Sequence, residues 1–499
     1  MGVIVETTSG KIEGESRGGH ARFLGIPFAA PPVGERRWRA PEPAAKWSRV
    51  RPALAFAASA PQPPSALPGM AVGAQDEDCL YLNVYTPRAD GARRPVLFWI
   101  HGGGFTTGSG AQALYDGGAL AERGDVVVVT INYRLGALGY LHLPGCDANV
   151  GQLDQIAALR WTRDNIAAFG GDPGRVTIFG ESAGGMAVST LLGMPAARGL
   201  FHGAIAQSGA AHNVHSAESA ARVTAAVLES LGLAASEVAK LRELPAAKLI
   251  EAATRVVAER RVLGLLAYCP VVDPASLPVP PLDAVRGGAA RGVPLLVGTN
   301  RDETKLFRLG VAESASLSEE SLAKRVRTAL QALRAHESHA ERVIETYRSA
   351  RAGRASVEPG ELLDAIEADR TFRVPAIRLA EAQRPHEPRT YMYFFTWESP
   401  ARRGTLGSCH ALELPFVFGT LGAPTMDRFA GKGPDAEALA ARMMDSWIAF
   451  ARAGDPAHAA LPEWPAYDGA KRATLVFDRR CELVYAPLDR ERAAWDAIL

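Results

Sequence analysis

Residues 175–186 read RVTIFGESAGGM, and this stretch predicts the architecture around which the rest of the chain is built. Residues 176–179 are β-branched and aromatic, which predicts a buried strand. Ser182 follows between Gly180 and Gly184 in the pattern G-x-S-x-G, the nucleophile elbow. Such a turn holds a serine where a base can reach it, and we expect the serine's own backbone N–H to face the oxyanion. An ordinary glycine-rich connection is the alternative, since the chain has 49 glycines.

Composition predicts a large globular protein and excludes several kinds of partner. The chain has 499 residues, of which 47% are hydrophobic, and its 55 Lys and Arg against 54 Asp and Glu leave a net charge of +1. A balance of this kind provides no basic field for nucleic acid. No apolar run approaches 18 residues, so we expect no membrane span, and the oligomeric state is left open, a monomer being one option.

Targeting and cofactor motifs are also missing from the sequence. The first ten residues lack the charged and apolar regions of a secretory signal, and the five cysteines are odd in number and widely spaced. We therefore expect a cytoplasmic protein. Neither H-E-x-x-H, paired C-x-x-C, G-x-x-x-x-G-K nor G-x-G-x-x-G occurs, so no metal and no cofactor is expected.

A second glycine-rich motif precedes the elbow. Residues 95–100 (PVLFWI) predict a buried strand, and His101 is followed by Gly102, Gly103 and Gly104. Successive glycines let backbone N–H groups point into a shared cavity, which is the geometry of an oxyanion hole. An HGGG-type loop is a known partner of the nucleophile elbow. We expect His101, at the end of the strand, to be structural.

The surrounding pattern predicts an α/β fold. Strands at residues 125–133 and 203–209 and a helix at residues 151–169 continue the β-α-β rhythm of a large, mostly parallel central sheet flanked by helices. We predict one domain, 1–499, in which residues 213–290 and 308–385 are mainly helical insertions over the active site. A closing helix at residues 435–453 is expected, with Asp435 as its N-cap and Gly454 after its end.

An acid and a base are both available after later strands. Residues 293–300 (VPLLVGTN) predict a strand that delivers Asp302 and Glu303 at its carboxyl end, where sites of α/β proteins form. Either carboxylate satisfies this argument. Residues 390–397 predict an aromatic strand, and His410 lies in the loop that follows it. Of the 11 histidines, His410 has the best context for a general base.

Other features allow two interpretations each. Residues 51–75, rich in Ala and Pro, are a linker or a mobile lid over a pocket. Ser208, at a strand end, supports the site or caps a loop. Four residues flank the motifs and either line an apolar substrate pocket or simply pack in the core; they are Phe105, Met186, Leu306 and Phe307.

Taken in order, these motifs resemble the type-B carboxylesterases, the cholinesterase-like branch of the α/β-hydrolases that includes bacterial p-nitrobenzyl esterases. The resemblance covers almost the whole chain. Besides HGGGF and VTIFGESAGG, it rests on the stretches GIPFAAPPVGERRWRAP, EDCLYLNVYTP, INYRLGALGY, NIAAFGGDP, GTNRDET and HALELPFVFG.

The resemblance implies roles for individual residues. It makes Ser182 the nucleophile, His410 the base and Glu303, not Asp302, the acid. It also implies that the N–H groups of three residues, Gly103, Gly104 and Ala183, form the oxyanion hole.

Two departures from the family pattern stand out. The family usually bonds the cysteine of EDCLYLNV to an upstream cysteine, but residues 60–62 read APQ here, so we predict that Cys79 is unpaired. In the acid motif, Thr304 stands where the family has glycine.

The function that the resemblance implies is hydrolysis of small to medium acyl or aryl carboxylic esters through an acyl-enzyme. An amidase or carbamate hydrolase with the same triad is the alternative within catalysis. A non-catalytic binding protein of the same fold is the alternative outside it, and the presence of Ser182, Glu303 and His410 argues against it.

Overall fold

A computed structural model describes residues 2–64, 71–259, 266–308, 317–333 and 335–498. One thirteen-stranded sheet runs through this part of the chain. Its strands are β1 (Gly2–Thr7), β2 (Gly10–Arg17), β3 (His20–Pro27), β4 (Arg51–Pro52), β5 (Tyr81–Thr86), β6 (Arg94–Ile100), β7 (Val127–Ile131), β8 (Gly171–Glu181), β9 (Gly203–Gln207), β10 (Leu295–Asn300), β11 (Thr390–Phe395), β12 (Ala473–Phe477) and β13 (Glu482–Tyr485).

The centre of the sheet is parallel and its margins are antiparallel. The strand order is β1-β2-β3-β5-β7-β6-β8-β9-β10-β11-β12-β13, and β4 pairs with β2 beside this path. From β7 through β12 each neighbour is parallel, whereas β1, β2, β3, β5 and β7 pair antiparallel, as do β12 and β13. The predicted α/β-hydrolase fold with a large, mostly parallel sheet is confirmed.

Both faces of the central sheet are covered, which explains why its strands lack polar alternation. All seven residues of β6 are buried, and alternate side chains enter different cores. Phe98 and Ile100 belong to the core on one face, and Leu97 and Trp99 to the core on the other. The strands therefore cannot slip by a residue without exchanging the two cores.

Helices flank the sheet and fill the connections between its strands. The α-helices are α1 (Gly118–Gly124), α2 (Gly136–Tyr140), α3 (Val150–Asn165), α4 (Ala183–Leu191), α5 (Ala217–Ser230), α6 (Ala246–Ala258), α7 (Pro281–Arg286), α8 (Glu319–Ala332), α9 (His339–Arg351), α10 (Pro359–Ala368), α11 (Val374–Gln383), α12 (Leu414–Phe418), α13 (Met426–Phe429), α14 (Pro434–Ala453) and α15 (Asp489–Ala493). A single π-helical turn, Asp369–Arg373, joins α10 to α11. Among the described residues, no helix is both long and apolar enough to cross a bilayer.

Shorter 3₁₀ turns complete the list of elements. They are Gly34–Arg36, Ala113–Tyr115, Ile166–Phe169, Pro195–Ala197, Ala235–Arg242, Glu303–Arg308 and Ala401–Gly404.

The closing helix α14 begins one residue earlier than predicted. Its N-cap is Gly433, with Pro434 in the first helical position, so the prediction of Asp435 as N-cap was wrong. Proline suits this position because its missing N–H has no helical partner and its φ is already helical. Gly454 ends the helix in the left-handed conformation at φ 70°, as predicted.

Candidate active site

Five parallel strands bring the candidate site together at one edge of the sheet. The strands β6, β8, β9, β10 and β11 run in the same direction, so their carboxyl ends share that edge. The glycine loop leaves β6, Ser182 leaves β8, and the acidic turn leaves β10. Residues more than 200 positions apart in sequence therefore meet.

The elbow at Ser182 has a backbone that only its flanking glycines allow. Ser182 itself has φ 57° and ψ −124°, a strained conformation for a residue with a side chain. A Cβ at Gly184 would overlap the carbonyl oxygen of Ile100, and one at Gly180 would lie 2.5 Å from the carbonyl carbon of Gly184. Glycine at both positions thus lets α4 start directly against the end of β6.

One expectation about the elbow was wrong. The backbone N–H of Ser182 does not face an oxyanion, because it donates to the carbonyl oxygen of Gln207 at 2.9 Å. The next residue, Ala183, is the first of α4, where N–H groups have no partner within the helix. Its N–H donates to no group in the described part of the chain.

The glycine loop turns back on itself after β6. Gly103 and Gly104 have φ 111° and 61°, in the region that favours glycine. The carbonyl oxygen of Gly103 accepts the backbone N–H groups of Thr106 and Thr107 at 3.1 and 3.0 Å. The N–H groups of both glycines have no acceptor among the described residues, so they are free to bind an oxyanion.

Side chains from neighbouring segments hold the glycine loop in place. Gln62 accepts the N–H of Gly108 at 2.7 Å and donates to its carbonyl oxygen at 2.9 Å. His101 stacks on Tyr133 with ring centroids 4.5 Å apart, and the Tyr133 hydroxyl donates to the carbonyl oxygen of His101 at 2.8 Å. Burial lowers the pKa of His101 to about 4, so its imidazole is neutral at pH 7.

A buried carboxylate–imidazole pair lies at the same edge. His410 Nδ1 is 2.6 Å from Glu303 Oε2. His410 is 4% exposed and Glu303 is 0% exposed. The other carboxylate oxygen of Glu303 accepts the N–H of Asn300 at 2.8 Å. Both oxygens of Glu303 are therefore held, and the other ring nitrogen of His410, Nε2, is buried as well.

Asp302, the other carboxylate that spacing allowed as the acid, contacts two basic side chains and a backbone N–H group. It pairs with Arg301 at 2.9 Å and Lys305 at 3.3 Å, and it accepts the N–H of Ser408 at 2.9 Å. Asp302 thereby fastens the loop that carries His410 to the turn that carries Glu303.

Glu181, directly before Ser182, is a site residue that sequence reasoning missed. Its Oε1 lies 3.0 Å from His410 Nε2, in a geometry that makes no hydrogen bond. Burial lowers the pKa of His410, but the carboxylates of Glu181 and Glu303 raise it by more, so its pKa is well above the ordinary value. The position of Glu181 beside the elbow serine was the one signal available in sequence.

A third buried carboxyl group, that of Glu413, lies behind this pair and was also missed. Asn300 Nδ2 donates to it at 2.7 Å and Gln207 Nε2 at 3.0 Å, while Trp447 Nε1 fixes the orientation of Gln207 at 3.0 Å. Burial and the neighbouring carboxylates raise the pKa of Glu413 to about 8. Its spacing from His410, three residues along the same loop, was the only hint.

The four candidate pocket residues separate into two groups. Phe105, Met186 and Leu306 are buried, and Phe105 packs its ring on Tyr140 at 4.9 Å. Phe307 is 52% exposed, with its ring centroid 5.0 Å from that of His410. Of the four, Phe307 alone combines contact with His410 and access to solvent.

Several secondary candidates have definite places. Ser208 is buried and its hydroxyl has no hydrogen-bond partner among the described residues. Burial raises the pKa of the Cys409 thiol, which favours the neutral form. Cys79 is a buried free thiol, which confirms that it is unpaired. The predicted lid falls partly on residues 65–70, which lie outside the described residues.

Comparison with known proteins finds relatives over almost the full length of the chain. A family model described as "Carboxylesterase family" matches residues 2–493. The chain is 41% identical to a para-nitrobenzyl esterase of Bacillus subtilis (strain 168), covering 98% of this chain and 97% of that one. It is 38% identical to a phenmedipham hydrolase of Pseudarthrobacter oxydans, with 95% and 94% covered.

Solved structures are similar over the full length as well. A thermophilic p-nitrobenzyl esterase matches with a TM-score of 0.88 at 39% identity, over 98% of this chain and 99% of that one. A carboxylesterase of Geobacillus stearothermophilus matches with a TM-score of 0.88 at 41% identity, over 99% and 100%. The chain is therefore a member of the carboxylesterase family and a carboxylic ester hydrolase.

Proposed function

We propose that the chain hydrolyses small to medium acyl or aryl esters through a triad of Ser182, His410 and Glu303 and an acyl-enzyme intermediate. The observation that carries the proposal is the buried 2.6 Å contact between His410 Nδ1 and Glu303 Oε2, beside a serine held in an elbow. A base oriented in this way by a third group is the arrangement that activates a serine hydroxyl.

The first half of the reaction forms the acyl-enzyme. His410 Nε2 takes the proton of the Ser182 hydroxyl while Oγ attacks the ester carbonyl carbon. The negative charge that develops on the carbonyl oxygen is stabilised by the free N–H groups of Gly103, Gly104 and Ala183. The intermediate then expels the alcohol oxygen, which leaves with the proton from His410.

The second half returns the enzyme to its starting state. His410 Nε2 takes a proton from water, whose oxygen attacks the acyl carbon, and the same three N–H groups stabilise the second oxyanion. Ser182 Oγ leaves with the proton held by His410, and a carboxylic acid is released. Glu303 stabilises the imidazolium in both halves.

The central test is replacement of the serine. Ser182→Ala should lower kcat for p-nitrophenyl butyrate on the order of 10⁶-fold, as in other serine hydrolases. A fluorophosphonate should label wild-type protein once per chain at Ser182, located by peptide mass spectrometry, and leave Ser182→Ala unlabelled. Circular dichroism controls for folding. Ester hydrolysis by Ser182→Ala within tenfold of wild type would overturn the triad.

A second substrate class follows from one relative, which is named a phenmedipham hydrolase. The same triad can act on a carbamate or an amide as well as on an ester. Turnover of p-nitrophenyl butyrate, p-nitrobenzyl acetate, a matched anilide and phenmedipham should be compared on one preparation. We expect kcat/KM to be highest for the esters, and a carbamate that exceeds both esters would reverse the assignment.

A further inference from the structure

Two phenylalanine rings form an aromatic wall against the imidazole of His410. The ring centroid of Phe372 lies 4.9 Å from that of His410, and the centroid of Phe307 lies 5.0 Å away. The two phenyl rings are nearly parallel and 6.4 Å apart. Phe307 is 52% exposed, whereas Phe372 is 2% exposed. Phe372 is thus the buried, immobilised part of the wall.

Hydrogen bonding holds this imidazole at one ring nitrogen. Nδ1 is held by Glu303, whereas Nε2 lies 3.0 Å from Glu181 Oε1 in a geometry that makes no hydrogen bond. Rotation about the second torsion of histidine, which is intrinsically broad, would carry Nδ1 away from Glu303. Steric contact with neighbouring rings opposes this rotation and so helps to keep the orientation that proton transfer needs.

The backbone that carries Phe372 departs from the regular helix at this point. Residues Asp369–Arg373 form a single π-helical turn between α10 and α11. Such turns are rare and occur frequently at functional sites. Phe372 lies within this turn, and its ring centroid is 4.9 Å from that of His410.

A buried polar network fixes the turn from its other side. Arg373 donates to both carboxylate oxygens of Asp369, at 2.6 and 2.7 Å, and to the carbonyl oxygen of Pro487 at 2.9 Å. Asp369 also accepts the Tyr347 hydroxyl at 2.5 Å, and that hydroxyl accepts Trp495 Nε1 at 2.8 Å. The two charged residues and both aromatic residues are at least nine-tenths buried.

We propose that Phe372 is a positioning residue that keeps the imidazole of His410 in the orientation required for proton transfer. Its ring limits rotation of the imidazole, and the network around Asp369 and Arg373 holds that ring in place. The inference rests on the proposed function, in which His410 is the general base.

The test compares Phe372→Ala and Phe372→Leu with matched changes at another buried phenylalanine. Phe23 lies on β3 with 0% exposure, packs its ring on Phe169 and has no contact with the site, so Phe23→Ala and Phe23→Leu report the cost of losing a buried ring. We expect Phe372→Ala to lower kcat for p-nitrophenyl butyrate about tenfold or more with KM within about twofold, as misplacement of a reacting group does. Phe372→Leu should recover most of that loss, and both Phe23 variants should keep wild-type kcat.

A second readout does not depend on turnover. The proton between His410 Nδ1 and Glu303 should give a downfield proton NMR resonance in the resting enzyme, assigned by its absence in His410→Gln. We expect Phe372→Ala to broaden this resonance by exchange with water, whereas Phe372→Leu and the Phe23 variants keep it sharp. All measurements are made below the melting temperature of the least stable variant.

The outcomes separate the two hypotheses. Wild-type kcat in Phe372→Ala, or a loss of kcat with a sharp resonance, overturns the positioning role while leaving the triad intact. Full activity in Ser182→Ala overturns the proposed function, and the resonance then still reports whether Phe372 holds the imidazole. Equal losses in the Phe372 and Phe23 variants also overturn the inference, because they indicate a general effect on packing.

Discussion

The charge of His410 is affected by carboxylates at both of its ring nitrogens. Glu303 lies at one ring nitrogen and Glu181 at the other, 2.6 and 3.0 Å away, and together they raise its pKa above the ordinary value. In the role of general base that we propose for it, His410 must be neutral to accept a proton. The acid limb of kcat/KM reports that ionisation in the free enzyme, so it should lie above pH 6.5.

Removing one carboxylate should move that limb in a known direction. In Glu181→Gln the imidazolium loses a favourable charge, so the pKa of His410 falls and the acid limb of kcat/KM moves to lower pH by about one unit. The pH profile with p-nitrophenyl butyrate measures this shift. Glu387→Gln is the control, since Glu387 is also buried but pairs with Arg389. A limb that stays in place would show that Glu181 does not act on His410.

Glu413 has a different state from the other two carboxyl groups of the site. With its pKa raised to about 8, it is mainly protonated at pH 7, and the site holds two carboxylates beside one imidazole instead of three. Burial accounts for most of this, because a charge removed from water is costly. Its fixed hydrogen bonds to Asn300 and Gln207 make it a structural support behind Glu303 and His410.

At the scale of elements, the glycine loop after β6 depends on two glycines in unequal ways. A Cβ at Gly103 would overlap the backbone oxygen of Thr107, whereas one at Gly104 meets nothing nearer than 3.6 Å. Both residues have positive φ, which costs a residue with a side chain about 1–2 kcal/mol. The first glycine is needed for space and conformation, the second for conformation alone.

This difference predicts an order of effects. Gly103→Ala should lower kcat for p-nitrophenyl butyrate about 100-fold or more, because the loop must move and so displaces an N–H group that we propose binds the oxyanion. Gly104→Ala should lower it by about tenfold or less. Gly91→Ala is the control, since a Cβ there meets nothing within 4 Å. Equal losses at positions 103 and 104 would contradict this account of the loop.

The Ser182 elbow shows how neighbouring elements share one constraint. Gly184 lets α4 start against β6, and Gly209 lies so close to the carbonyl oxygen of Ser182 that a Cβ there would overlap it. The N–H of Ser182 is bonded to the strand end at Gln207. Contacts with two strands and a helix therefore fix the serine, and they prevent its strained backbone from relaxing.

At the scale of the whole molecule, a buried ion pair joins two parts of the fold that support the loop. Arg134 Nη2 lies 2.6 Å from Asp154 Oδ1 and Nε lies 2.8 Å from Oδ2, and the side chains are 4% and 0% exposed. Asp154 also accepts the backbone N–H of Arg134 at 3.0 Å. The pair fastens α3 to the segment between β7 and α2.

Removing one partner of this ion pair should lower the free energy of unfolding. Asp154→Ala leaves the Arg134 guanidinium buried without a counter-ion, which costs about 3–5 kcal/mol of unfolding free energy. The double replacement Arg134→Met with Asp154→Leu should recover most of that loss. Urea unfolding measures both. Arg163→Ala breaks an exposed pair with Asp164 and should change the free energy by about 0.5 kcal/mol or less. An Asp154→Ala loss no larger than this control would contradict the prediction.

Much of the architecture followed from local sequence patterns. Continuous apolar runs such as residues 95–100 predicted buried parallel strands, because a strand covered on both faces needs no polar alternation. The glycines of the elbow and of the loop after β6 also predicted tight turns, since few other residues adopt their backbone conformations. The elbow pattern pointed to Ser182, the loop after a late strand pointed to His410, and the family resemblance implied the oxyanion N–H groups; their roles stay predictions until the serine is replaced.

Only the tertiary structure decided what lies around them. Spacing alone left Asp302 and Glu303 equivalent and only the family resemblance implied Glu303; in the fold, Glu303 contacts His410, and Asp302 pairs with Arg301 and Lys305. Glu181, Glu413 and Phe372 escaped notice, because no local pattern marks a side chain whose partners come from distant strands and helices. Secondary-structure propensity and hydrophobic periodicity depend on residues that are close in sequence, so they can be recognised from the sequence alone. The charge on His410 depends on carboxylates from other elements, of which Glu303 is 107 residues away in sequence, and the wall beside it depends on rings from two other elements; these contacts exist only in the folded protein.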